Sequence, residues 1–279
     1  CFYSSLDIAL FAKIHIKSDY IYEVCDLTEL VVGNKFVKAL LVRLNINIIK
    51  KSKLTIFTSE GFFDFYNKIP KEKIVLLPNK VSEHCPTPIN KNRAFPDNER
   101  IKIGYVGVVR FETIYNFIKV CAQNESTVEV HIYGIYSNGD IYAEKVKELV
   151  SASNNITYHG PFSNPKDLPS IYSEIDILLC TYTPSPGVIY AEPNKLYEAM
   201  YFKCPIIVNS RTFLGNKVEK LNIGYVIDAT NESQIKNFIL NIDKDSYNEK
   251  VKFCAIIPTI ECINNDSHLF AALDQTTNQ

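Results

Sequence analysis

Short apolar runs alternate along the chain with segments whose apolar positions recur at helical spacing. Ile21 to Cys25 reads as a buried strand, followed by Asp26. Lys35 to Ile49 predicts a helix, with Phe36, Leu40, Leu44 and Ile48 on one stripe. Leu54 to Thr58 reads as the next strand and Gly61 to Tyr66 as a short helix. Ile74 to Leu77 reads as a strand ending at Pro78-Asn79. This is the rhythm of a parallel sheet covered by helices.

Residues 80 to 100 break the rhythm. Lys80 to Pro88 and the stretch through Pro96-Asp97-Asn98 are polar and proline-rich, which marks a domain linker. A second α/β unit follows. Strands are predicted at Ile101–Val106, Val128–Tyr133, Ile156–His159, Ile175–Cys180, Pro205–Val208 and Gly224–Ile227. Helices are predicted at Thr113–Gln123, Ala143–Ser151, Leu168–Tyr172, Asn194–Phe202 and Gln234–Ile242. The tail after Ser246 reads as helical, broken at Pro258. The chain thus divides into residues 1–98 and residues 99–279, both of α/β class.

Length and composition agree with that division. A chain of 279 residues suits one large domain or two ordinary ones. With 46% hydrophobic and 22% charged residues it can bury a core without disulfides or metals. The net charge of −1 conceals an asymmetry. Residues 1–100 carry 15 Lys+Arg against 11 Asp+Glu, and the remainder 15 against 20. The basic first part can face an anionic membrane or a phosphorylated acceptor; a solvated surface is the plain alternative. Nucleic-acid binding has no other support. The eight cysteines form no CxxC pair and sit in apolar segments, which suits reduced thiols in a cytosolic protein rather than disulfides or a zinc site. No apolar run reaches membrane-spanning length and no signal peptide is recognisable. The start at Cys1, without Met, is expected to lie mid-fold, with an N-terminal portion missing.

In an open parallel sheet, ligands gather at the carboxyl ends of strands, near helix N-termini. The fullest such segment is Glu192-Pro193-Asn194-Lys195-Leu196-Tyr197-Glu198. Pro193 suits a first helical turn, and Asn194 can cap it or bond a ligand. The amides that follow, through Lys195 and Leu196, point ahead of the helix, where their N–H groups and the helix dipole favour a diphosphate. Lys195 adds positive charge. Glu198, three residues on, shares its face and can accept from both hydroxyls of a ribose. The alternative is a capped helix with a Lys/Glu surface pair. At Gly104-Tyr105-Val106-Gly107-Val108-Val109-Arg110 a strand ends at Gly107, where a ligand can approach the backbone, and Arg110 can grip phosphate. The glycines are three apart and a third is missing, so this is not the dinucleotide pattern GxGxxG. Tyr133-Gly134 and His159-Gly160-Pro161-Phe162 end two more strands, and Tyr133 or Phe162 can stack on a base; Tyr133 suits a core role better. His159 reads as a satisfied strand-end histidine. Glu60 follows a strand and can bind a sugar hydroxyl or serve as a base, with an N-cap or surface role as the alternative.

Taken in order, Gly104 to Arg110, Tyr158 to Phe162, Ile175 to Leu179 and Pro193 to Met200 resemble the donor domain of GT-B glycosyltransferases over residues 100 to 245. The likeness is to the bacterial family 4-like enzymes of capsule, exopolysaccharide and O-antigen synthesis. Tyr22 to Leu27, Thr58 to Phe62 and Leu76 to Asn79 resemble the later strands of the acceptor domain. The resemblance implies two Rossmann-like parallel-sheet domains facing across a cleft, the first incomplete. It implies transfer of a sugar from a nucleotide diphosphate donor, commonly UDP-linked, to a glycan or lipid-linked acceptor. Glu198 would hold the ribose, while Arg110 and Lys195 neutralise the diphosphate. Gly107, Tyr133, Phe162, Asn194 and Leu196 complete the expected donor site. No metal or other cofactor is expected, because cations and helix-end amides stabilise the leaving group. A cytoplasmic location, peripheral at the inner membrane face, goes with such an acceptor. The chain departs from the family's pair of Glu residues eight apart, since position 190 is Tyr190. Glu192, out of register, and Glu60 are the candidates for the catalytic role. A non-catalytic partner subunit of the same fold and a sugar-nucleotide epimerase are the competing readings.

Overall fold

Both apolar rhythms become parallel sheets in the computed structural model of the chain, which describes residues 1–15, 19–89, 93–96 and 100–277. Two units result. The first comprises Cys1–Lys80, Ser185–Asn194 and Asn264–Gln279; the second comprises Val81–Pro184 and Lys195–Ile263.

In the first unit β1 (Phe2–Tyr3), β2 (Ile21–Val24), β3 (Leu54–Phe57) and β4 (Ile74–Leu76) lie side by side in chain order, every pair parallel. Helices α1 (Leu6–His15), α2 (Lys35–Lys51) and α3 (Phe62–Phe65) connect them. The sequence pattern misses α1, because Leu6, Ile8, Ala9, Leu10 and Phe11 form an almost unbroken apolar run without helical period. Helix α2 starts where Asn34 accepts hydrogen bonds from the Phe36 and Val37 amides, at 3.0 and 3.2 Å. Its predicted stripe is corrected. Ile48 is buried, but Phe36 is 88% exposed and Leu40 56%. A helix of 17 residues is about 26 Å long, whereas strands of four residues span about 13 Å. The sheet therefore covers only the carboxyl half of α2, where Asn45, Ile48 and Ile49 are buried. Asn45 and the Tyr66 hydroxyl both donate to the buried carboxylate of Glu29, which fastens α2 to the turn before it.

The second unit holds six parallel strands, namely β5 (Ile101–Val109), β6 (Val128–Tyr136), β7 (Ile156–Gly160), β8 (Ile177–Cys180), β9 (Ile206–Asn209) and β10 (Gly224–Ile227). Their order is β10-β9-β8-β5-β6-β7. The chain walks outward from β5 to β7, returns to the other side of β5, and walks outward again. The connecting helices are α4 (Glu112–Ala122), α5 (Ile141–Ala152), α6 (Leu168–Glu174), α7 (Asn194–Tyr201) and α8 (Phe213–Leu221), followed by α9 (Glu232–Asn241), α10 (Lys244–Ile256) and α11 (Thr259–Cys262). A last helix, α12 (Ser267–Thr277), lies along β3 and β4 of the first unit. Strands β8 and β9 are buried along their whole length, which is why they read as continuous apolar runs rather than alternating ones. Helix α8 escaped the sequence reading, although Thr212 caps it by accepting from the Gly215 amide at 2.9 Å.

Two predicted strand ends are corrected. Strand β5 does not close at Gly107, nor β6 at Tyr133; the ladder continues to Val109 and Tyr136. Gly107 and Gly134 face each other in register, with φ of 149° and 139°. A Cβ on Gly134 would stand 1.8 Å from the Gly107 carbonyl oxygen. Gly134 thus lets the strands pass closely, and neither glycine ends its strand.

The proline-rich stretch is not uniformly solvated either. Val81 pairs with Ile263 in a parallel bridge, and Val81, Cys85 and Arg93 are buried in the second unit. Six cysteines are buried, Cys25 is half-buried and Cys1 exposed, and none is in a disulfide. Among the described residues, no helix is long and apolar enough to cross a membrane.

Candidate functional site

The strand order has one reversal, between β5 and β8, and such a switch point opens a crevice at the carboxyl ends of the strands. Its rim is built by the residues that leave those two strands. Beyond β5, Arg110 is exposed, with its guanidinium 4.6 Å from the Phe111 ring. Phe111 sits at φ 76° and begins α4 without a side-chain cap, so the first amides of that helix have no capping side chain. A bulky residue in the left-handed region is strained, and such strain gathers at functional loops. Beyond β8, the Thr181 carbonyl accepts from the Thr113 hydroxyl, and Thr113 and Thr183 hydroxyls lie 3.1 Å apart. Tyr182 rests against Phe111 at 5.2 Å between ring centres. The two exits from the sheet are therefore bonded to each other.

Helix α7 carries a buried ion pair. Lys195 and Glu198 are not a surface pair, since they are 6% and 2% exposed. The Lys195 ammonium donates to both carboxylate oxygens of Glu198, at 2.8 and 2.7 Å. The Tyr172 hydroxyl, from α6, donates to Glu198 Oε2 at 2.7 Å. Burial, and after it the Glu198 charge, hold the Tyr172 phenol well above its ordinary range, so it stays a donor. Burial also pushes the Cys180 thiol at the end of β8 up to about 12, opposed by the nearby Lys195 charge. Such a buried ion pair is costly to assemble, and it survives because each charge is hydrogen-bonded. Leu196 is fully buried, so any contact it makes with a ligand is through its amide. Asn194 stands at the first position of α7 and is half-buried.

The remaining candidates separate. Tyr133 is buried and stacks on His159 at 4.2 Å and 6°, so one face of its ring is already covered. His159 in turn lies 3.0 Å from His131, Nε2 to Nδ1. Burial first and His131 second depress the His159 pKa. Phe162 is half-buried against the core that contains Tyr172 and Leu196. Glu60 and Glu192 meet in the first unit, where the Glu60 amide donates to Glu192 Oε2 at 3.1 Å. The Glu192 side chain is buried and Glu60 exposed. Tyr190, at the position of the missing Glu, packs against Phe65 at 5.6 Å, and its carbonyl accepts from Ser59. Among the described residues, no group of three or more His, Cys, Asp or Glu is assembled that could hold a metal ion.

Two residues at this site were invisible in the sequence. Tyr172 lies in a short helix whose pattern predicts only core packing. Arg93 comes from the proline-rich stretch, yet its guanidinium is buried. It donates to the carbonyls of Tyr172 at 2.7 Å, Ile175 at 2.9 Å and Phe202 at 3.2 and 3.3 Å. No periodicity or motif marks either one.

An α/β protein with two parallel sheets, the larger reversing its strand order beside a helix with a buried Lys/Glu pair, has the architecture of GT-B glycosyltransferases. Residues 87–253 match the family described as glycosyl transferases group 1, and the chain belongs to that family and is a sugar transferase. Solved structures agree in fold. A sucrose-phosphate synthase from Thermosynechococcus elongatus superposes with a TM-score of 0.71 at 16% identity, over 99% of this chain and 72% of that one. HepE from Anabaena, in complex with UDP and glucose, gives 0.71 at 14% identity, over 99% and 77%. A TarM variant from S. aureus, in complex with Fondaparinux, alpha-GlcNAc-glycerol and UDP, gives 0.68 at 16% identity, over 97% and 53%. No curated protein sequence matches the chain.

Proposed function

We propose that the chain transfers a sugar from a nucleotide diphosphate donor, UDP-linked, to a glycan or lipid-linked acceptor in bacterial surface polysaccharide synthesis, as a family 4-like enzyme. The observation that carries the reading is the buried Lys195–Glu198 pair on α7. A carboxylate held this rigidly suits the two hydroxyls of a ribose. An ammonium has three donors, and Lys195 uses two on Glu198, which leaves the third for a phosphate oxygen. Arg110 and the first amides of α7 supply the rest of the countercharge, so leaving-group departure needs no metal. Gly107 takes the close approach of the ligand to the backbone, and Phe162 and Tyr133 take the base side. The first unit takes the acceptor, with Glu192 and Glu60 as candidates for contact with the transferred sugar. Exposed Phe36, Val37 and Leu40, flanked by Lys35 and Lys38, support peripheral contact with an anionic cytoplasmic membrane face.

Isothermal titration with UDP, GDP and UDP-sugars tests the reading. Binding of a uridine diphosphate, unchanged by EDTA and lost in Glu198→Ala, is the expected result. A folded protein that binds no nucleotide would refute it.

A further inference from the structure

The Glu198 carboxylate has a second partner besides Lys195, and that partner is itself held from behind. Tyr172 is fully buried, and its ring stacks on Phe202 at 4.4 Å and 13°. Phe202 directly follows α7, and its amide still donates to the Glu198 carbonyl at 2.9 Å. Arg93 binds the backbone carbonyls of both stacked residues through one guanidinium. A closed circuit results, running from Arg93 to the Tyr172 backbone, along its ring to Glu198, down α7 to Phe202, and back to Arg93. Each link is a short polar contact or a stacked pair. The circuit leaves little freedom for α6 to slide against α7, and so fixes where the Tyr172 hydroxyl meets the carboxylate.

We infer that Tyr172 is a positioning residue for ribose recognition: its hydroxyl fixes the plane of the Glu198 carboxylate so that the carboxylate meets the vicinal hydroxyls of a nucleoside diphosphate. This rests on the reading of Glu198 given above. The chemistry suits the task. A phenol donates without adding a second full charge, so the carboxylate remains a strong acceptor. A second cation in its place would compete with the ligand's hydroxyls for the same oxygens. The phenol also stays protonated across the working range, because burial and the adjacent carboxylate both oppose its ionisation. Without it, Glu198 loses the donor that reaches it from a helix other than its own, and a flexible lysine on the same helix does not by itself fix the orientation of a carboxylate.

Tyr172→Phe keeps the ring and its stack on Phe202 and removes only the hydroxyl. Affinities of wild type and Y172F for UDP and for 2′,3′-dideoxy-UDP, measured by calorimetry, separate orientation from general packing. The expected result is a loss of about tenfold for UDP in Y172F, with the dideoxy nucleotide bound within about twofold of wild type. Equal weakening of both nucleotides, or undiminished UDP binding, overturns the positioning role alone. Wild-type protein that binds UDP no better than its dideoxy form, or binds no UDP, overturns the Glu198 reading and the role of Tyr172 together. Near-equal melting temperatures of the two proteins exclude misfolding as the cause of a selective loss.

Discussion

Replacing Arg93 by methionine isolates the energetic weight of a residue that no sequence pattern singles out. Its guanidinium satisfies three buried carbonyls, of Tyr172, Ile175 and Phe202, at 2.7 to 3.3 Å. All three lie at the carboxyl ends of α6 and α7, where the backbone carries partial negative charge. A buried acceptor left without a donor costs about 1–3 kcal/mol, so the Tyr172 and Phe202 carbonyls together cost roughly 2–6 kcal/mol. Removing the cation returns part of this, because burying a guanidinium costs several kcal/mol in desolvation. The orphaned groups are neutral carbonyls rather than a bare charge, which keeps the net below that of a broken ion pair. The expected loss is about 2–4 kcal/mol. For a unit of this size each kcal/mol lowers the melting temperature by about 2–4 °C, so Arg93→Met should melt roughly 5–15 °C lower. Arg93→Lys should fall between the two, since one ammonium does not reproduce a planar fork that reaches carbonyls on two helix ends. Thermal unfolding followed by circular dichroism and calorimetry checks both variants. A shift below about 2 °C for Arg93→Met would show that water takes over the carbonyls and that the guanidinium contributes no net stability.

Two further outcomes follow from the second unit. Gly134→Ala sets a Cβ 1.8 Å from the Gly107 carbonyl, so the β5/β6 ladder has to part; a loss of about 3 kcal/mol or more is expected, read as melting temperature and soluble yield. Gly139→Ala is the control. There φ is +72° with open space around the site, and the strain alone costs about 1–2 kcal/mol; equal effects of the two variants would sink the close-approach argument. His159 has a folded pKa depressed below its ordinary 6.5, by burial first and the His131 charge second, with Glu174 opposing. The unfolded chain then takes up the proton at higher pH than the folded one. The stability tied to neutral His159 is complete above about pH 6.5 and drains as pH falls below it through the lower folded value. His159→Asn should flatten that decline in denaturant titrations, and an unchanged slope would exclude His159 as its source.

The alternation of apolar runs with helical periods was enough to read two parallel α/β units, because fully buried parallel strands announce themselves as unbroken apolar runs. Ile177–Cys180 and Ile206–Asn209 are such strands, found nearly where they were read. Glycine was the misleading signal. Gly107 and Gly134 suggested strand ends, and only their pairing in register reveals that both strands run on and that Gly134 permits their close passage. Helix α2 shows the same limit: its apolar stripe is real in the sequence, but the four-residue strands beneath it reach only half its length.

At the site, sequence alone determined that Lys195 and Glu198 share a face, because three residues make almost one helical turn. It could not determine whether that face is wet. The tertiary structure buried the pair, brought Tyr172 onto the carboxylate, and drew Arg93 out of a proline-rich stretch onto two helix ends. Those partners lie 26 and 109 residues apart in the chain, for Tyr172 with Glu198 and Arg93 with Phe202. Local periodicity carries no information over such separations. Burial, and the partner that each buried charge then requires, are decided only when the layers pack.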